Sequence, residues 1–265
     1  MTVLALTDCT VACYNSDRDF ACRLFRSLLE KDIRTLIANQ AWEIIVRDYE
    51  NDPTFYRKRL MAAMQSEYDD LGERAASYLC ATSVYNHDAD SLKFILDSVH
   101  SNKHAESICR QAVRCFEYDL HRDVSKQIIV QMVKKHSLDY YVLSPDFFKN
   151  NIVIERDKDF LLELIAANTK TRVLSSLLKY LSETEENIVD FAEVIHAVSK
   201  HLAELQEEGP VRLGIDDMIQ CIVHLYDVGK DNPAIKTICL DAWDELFKNN
   251  LHDIKSLATI LDNFS

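Results

Sequence analysis

IVDFAEVIHAVSKHLAEL, residues 188–205, decides the fold class. Its apolar residues Ile188, Phe191, Ile195, Val198, Leu202 and Leu205 recur in steps of three and four, which predicts one apolar stripe over about five helical turns. Ser182 and Glu185 have the spacing of a capping box ahead of it, and Gly209-Pro210 stops it. Downstream, Met218, Ile219, Ile222, Leu225 and Tyr226 predict a helix closed by Gly229. Asp231-Asn232-Pro233 then starts another that carries Ile235, Ile238, Cys239, Ala242, Trp243 and Leu246. A last stripe runs through Leu251, Ile254, Leu257, Leu261 and Phe264. Upstream, the same period predicts helices near 17–30, 32–49, 54–68, 71–85, 88–100, 103–118, 121–136, 157–168 and 170–181.

Composition agrees. The 265 residues contain only 4 Gly and 4 Pro, where ordinary usage gives roughly 19 and 13. Strand turns and phosphate loops draw on those residues, so most strand-rich and nucleotide-binding α/β folds are excluded. A hydrophobic content of 48% supplies a core. A formal charge of −13 repels nucleic-acid backbones and anionic membranes. No apolar run reaches the ~18 residues of a membrane span. Eight cysteines without a CxxC pair fit reduced, buried thiols in the cytoplasm.

Short connections make neighbouring helices antiparallel, and weak self-similarity predicts how the pairs assemble. Leu71, Ala75, Leu79 and Ile108, Ala112, Phe116 share one spacing, 37 residues apart; Val173, Leu177, Leu181 and Ile235, Cys239, Trp243 repeat it. Asp52-Pro53 with Arg57 and Asp231-Asn232-Pro233 with Lys236 begin two helices alike. This unit resembles HEAT and armadillo repeats. The expectation is an all-α, right-handed superhelical α-solenoid of about six irregular antiparallel pairs. It forms a single helical-repeat domain over 1–265, with an irregular connector near 137–157 and its clearest terminal repeat at 210–265. Stacking is required because one pair cannot bury its apolar face alone.

The connector holds Tyr140-Tyr141, Ser144-Pro145 and Phe147-Phe148. It reads either as a partner-binding surface formed by these aromatics or as a packed connector. Arg57-Lys58-Arg59 reads either as a basic patch for a partner or as a solvated helix face. Arg114 and His121 fit the Arg-x4–6-His spacing of HEPN ribonucleases, in which His is general base and Arg stabilises a phosphorane. That alternative needs both residues on one helical face in an exposed cleft. Gly209 and Gly214 have P-loop spacing but lack its Lys and Ser/Thr, and no metal or cofactor site is expected.

Asp231-Asn232-Pro233, Cys239-Leu240-Asp241-Ala242-Trp243-Asp244 and Leu246-Phe247 resemble the ends of the helical-repeat regions of large bacterial STAND/NACHT-like P-loop ATPases, many of them in phage defence. The resemblance implies a non-catalytic protein-recognition scaffold, a sensor or assembly module. Its partner would be another protein or the rest of a larger polypeptide. A nucleic-acid-binding helical repeat is a further alternative, which would need a basic inner surface.

Overall fold

The computed structural model describes residues 9–248, apart from 11, 15, 39–40, 137, 139–141, 168–170, 185–187 and 207–213. The expected last helix through Leu251 and Phe264, Glu185, and the Gly209-Pro210 stop lie outside the described residues. Among those described, the regular structure is helical throughout and contains no strand. The chain divides into two compact units, Met1–Met132 and Val133–Ser265.

The first unit contains α1 (Arg18–Lys31), α2 (Ala41–Asp48), α3 (Pro53–Met64), α4 (Asp69–Tyr85), α5 (Ala89–Ser98), α6 (Asn102–Phe116) and most of α7 (Arg122–Lys135). Short polar side chains start several of them by satisfying orphan first-turn amides. Asp17 accepts from Phe20 N (2.9 Å) and Asp52 from Phe55 N (3.0 Å), with Pro53 in the first turn. Ser101 accepts from His104 N (3.5 Å). The stretch near 32–49, expected as one helix, is a 3-10 turn (Ile33–Ile37) followed by α2. Asp32 caps the turn by accepting from Arg34 N (3.0 Å), and the break follows Ile37, where Ala38 is extended (φ −60°, ψ 134°).

Helix α4 packs on α3, α5 and α6. Gly72 faces His104, Ser77 bonds Gln111 (3.3 Å), and Tyr85 meets Tyr118 (centroids 6.5 Å apart). Both numbers rise together, so α4 and α6 run parallel, with α5 as the crossover. The stripes Leu71, Ala75, Leu79 and Ile108, Ala112, Phe116 are fully buried. A Cβ on Gly72 would lie 2.7 Å from His104 Nε2, so glycine permits this close approach.

The second unit contains α8 (Pro145–Asn151), α9 (Ile154–Ala167), α10 (Thr171–Ser182), α11 (Ala192–Gln206), α12 (Ile215–Gly229) and α13 (Pro233–Lys248). Helices α8, α10 and α12 pack in succession, and so do α9, α11 and α13. Alternate helices therefore form two layers. The similar stripes of α10 and α13 lie in different layers, α10 against α8 and α12, α13 against α11 and α12.

Three expectations are corrected here. The connector near 137–157 contains a helix, α8, begun by Pro145 and by Ser144 Oγ accepting from Phe147 N (3.3 Å). Ser182 is the last residue of α10 and donates to Lys179 O (3.0 Å), so it does not cap the next helix. Residues Ile188–Phe191 are a 3-10 turn leading into α11. Before α12, Gly214 adopts φ 90°, a left-handed conformation that disfavours side chains.

Candidate functional site

The parallel pairing of α4 and α6 leaves a groove of about 380 Å³ between them. It is lined by Asp70, Glu73, Arg74 and Ser77 of α4 and by Arg110, Gln111 and Arg114 of α6, among others. Three guanidiniums thus converge in a chain of strongly negative net charge. Arg74 donates to Ile37 O (2.7 Å) and is anchored. Arg110 lies 3.3 Å from Glu106 on its own helix. Arg114 is exposed and forms no ion pair among the described residues.

Hydrogen bonds carry the groove into an aromatic ladder. Ser77 Oγ donates to Gln111 Oε1 (3.3 Å), and Gln111 Nε2 donates to Cys115 Sγ (3.5 Å). Burial pushes the Tyr85 phenol above its ordinary range, and its bond to Cys115 adds to this. The Trp42 ring stacks on Tyr78 (5.3 Å) and lies tilted to Tyr85 (6.5 Å). Tyr85 makes edge contacts with Tyr118 (6.5 Å) and His121 (4.8 Å). Trp42, Tyr78 and Tyr85 are half-buried, whereas Tyr118 and Leu120 are 57% and 78% exposed. Partly wet aromatics beside arginines are the side chains from which interface hot spots are built.

Arg114 and His121 take up different environments. Helix α6 ends at Phe116, and His121 sits on a separate 3-10 turn, Asp119–His121. The two therefore do not share the helical face their spacing suggested. His121 is buried, with Nδ1 unpartnered, and burial followed by the neighbouring His87 (ring centroids 6.0 Å apart) holds its pKa down.

The basic triplet is largely engaged in structure. Arg57 Nη1 pairs with Asp88 (2.9 Å) and Asp90 (3.0 Å), so it holds α3 against the start of α5. Arg59 reaches Glu30 (3.6 Å) and covers the Phe55 ring, while Lys58 is exposed. Tyr140 and Tyr141 lie outside the described residues. Phe147 and Phe148 are core residues, which corrects their assignment to a partner surface. They contact each other (5.2 Å), and Phe148 stacks on Tyr180 (6.2 Å), because α8 turns them onto α10.

The ladder was not foreseen, although a signal exists. Arg74-x3-Tyr78 recurs as Arg114-x3-Tyr118, 40 residues on. A second surface feature, an apolar groove of about 250 Å³, lies between α12 and α13 and includes Tyr226, Leu240 and Trp243.

Among the described residues no His/Cys/Asp/Glu group is arranged to hold a metal ion, and no helix is long and apolar enough to cross a membrane. Burial raises the thiol pKa of Cys22 and Cys239 to about 11 and of Cys109 to about 12, and it also raises those of Cys80, Cys115 and Cys221. Cys9 is exposed and Cys13 partly so. Ellman titration of the native protein is therefore expected to show two fast thiols, with the other six reacting only on unfolding. Six fast thiols would contradict the packing.

Comparisons with family models, with characterised proteins and with solved structures find no match to this chain.

Proposed function

We propose that this chain is a non-catalytic protein-recognition scaffold, with the α4/α6 face as its docking surface. The observation that carries the reading is the continuity of the Trp42–Tyr78–Tyr85–Tyr118 ladder with the arginines of the groove. Trp, Tyr and Arg dominate interface energetics because each combines large apolar area with a polar end. Asp70 and Glu73, in the same groove, repel a phosphate backbone and favour a protein over a nucleic acid.

The wider reading is a right-handed HEAT/armadillo-like array of about six pairs serving as a sensor or assembly module of a larger bacterial P-loop ATPase, of the phage-defence kind. Its support is the packing of alternate helices within each unit together with the Asp231–Phe247 resemblance. In such an array, helices of one layer line up and offer a continuous surface.

The test is a photo-crosslinking residue placed at exposed Tyr118 and activated in the source cells. A discrete protein adduct that disappears in the Arg110→Glu/Arg114→Glu variant is the expected outcome. Adducts that are absent, are nucleic acid only, or are indifferent to the double variant would overturn the reading.

A further inference from the structure

The groove is electrically graded along its length. Asp70 and Glu73 lie in the first turns of α4, at the end where Gly72 meets His104. Arg110 and Arg114 lie in the last turns of α6, Arg110 beside Gln111 and Arg114 beyond the Ser77–Gln111 bond. Because the helices run parallel, Asp70 and Glu73 occupy one end and Arg110 and Arg114 the other, while Arg74, next to Glu73 on α4, is bonded to Ile37 O (2.7 Å). The exposed Tyr118 and Leu120 adjoin the arginine end. At 1.5 Å rise per residue, Asp70 and Arg114 stand about 15 Å apart along the helices. An extended chain covers that distance in about five residues.

We propose that the groove binds a short extended protein segment of matching polarity. The segment carries a basic residue, an acidic residue four or five positions later, and an apolar residue immediately after the acid. The basic residue meets Asp70 and Glu73, and the carboxylate meets Arg110 and Arg114. The apolar side chain settles on Tyr118 and Leu120. Ser77 and Ser107 supply hydroxyl groups to the same groove for the segment's backbone. Asp70, Glu73 and Arg114 form no ion pairs among the described residues, so these three give up no internal bridge on binding. A single phosphate fits poorly, because both carboxylates share its groove. This inference rests on the protein-recognition reading and specifies its ligand.

The experiment is selection from a phage-displayed library of random dodecapeptides on the purified full chain, with Arg110→Glu/Arg114→Glu as the subtraction target. Both arginines are exposed, so an unchanged thermal melt is the folding control for the variant. Enriched sequences are expected to show the base–acid–apolar order. A synthetic Lys-Gly-Ser-Gly-Glu-Phe peptide is expected to bind at least about tenfold more tightly than the same peptide with Lys and Glu exchanged. It is also expected to lose about tenfold on the double variant and on Asp70→Lys, with stronger binding at low salt. The proposal is overturned by an absence of enrichment or of the ordered motif, by equal affinity for the exchanged peptide, or by oligo-dT competing more strongly than the peptide. If these results come with a protein crosslink at Tyr118 that still depends on the arginines, the recognition reading stands and only the graded-groove ligand falls.

Discussion

Asp48→Ala is expected to lower the stability of the first unit by about 3 kcal/mol. Asp48 closes α2 with no solvent exposure, yet three side chains converge on it. Tyr56 Oη donates to its Oδ2 (2.6 Å), Asn51 Nδ2 donates to its Oδ1 (2.8 Å), and Arg26 Nε lies 3.0 Å from Oδ2. Carboxylate, phenol and guanidinium thus tie α1, α2 and α3 together. The Cys22 thiol lies close enough for the same negative charge, after burial itself, to raise its pKa. Truncation to alanine removes the acceptor and leaves the buried Tyr56 hydroxyl without it, and that orphaned group accounts for much of the cost. Arg26 is partly exposed and can turn to water, which keeps the loss nearer the lower end of the buried-pair range of about 3–5 kcal/mol. Urea unfolding followed by circular dichroism measures it. Tyr56→Phe, which deletes one donor and keeps the carboxylate paired, is expected to cost only about 1 kcal/mol. Equal losses for the two variants would show that the carboxylate is not the organising group.

The second large effect is at Asp88, where Asp88→Ala is expected to cost about 2–3 kcal/mol. Its carboxylate caps α5 through Asp90 N (3.1 Å) and Ser91 N (3.3 Å). It also accepts from Ser91 Oγ (2.6 Å), from Arg57 Nη1 (2.9 Å) and from the buried Tyr49 hydroxyl. Burial opposes the charge at Asp88, but the bonds from Ser91 and Tyr49, helped by Arg57, outweigh it and leave the carboxyl below its ordinary range. Tyr49 responds in the opposite sense, its pKa raised to about 12 by burial and then by the Asp88 bond. A depressed folded-state pKa contributes stability that is present above the unfolded value, about 3.9, and is lost as pH falls through the folded value. Asp88→Asn keeps the shape and abolishes the titration. The stability gap between wild type and Asp88→Asn should therefore be constant from neutral pH to about pH 5 and close as acid approaches the folded pKa. A gap that widens in acid would refute the assignment.

Much of the helical content was readable residue by residue. The Asp52-Pro53 start, the Ile195, Val198 and Leu202 stripe of α11 and the buried stripes on α4 and α6 all depend on contacts within a few positions, which spacing encodes directly. Helix α8 was missed for a specific reason. At seven residues it shows only two turns of periodicity, although Ser144-Pro145 is a complete start signal. The connector's spacing left open whether Phe147 and Phe148 formed a partner surface or packed inward; their own helix turns them inward. Arg114 and His121 looked paired because a count of seven assumes an unbroken helix, and the chain leaves α6 after Phe116.

The amino-acid sequence alone determined that this protein is helical, where most of its helices start, and which stripe of several of them is apolar. These are local properties, set by caps and by the 3.6-residue period. Tertiary structure decided which stripes meet, and hence that α4 lies parallel to α6 with Trp42, Tyr78, Tyr85 and Tyr118 in one ladder beside Arg110 and Arg114. Apolar burial is non-directional, so a stripe specifies that it must be covered but not by which partner. That choice rests on long-range fit, such as the space Gly72 leaves for His104.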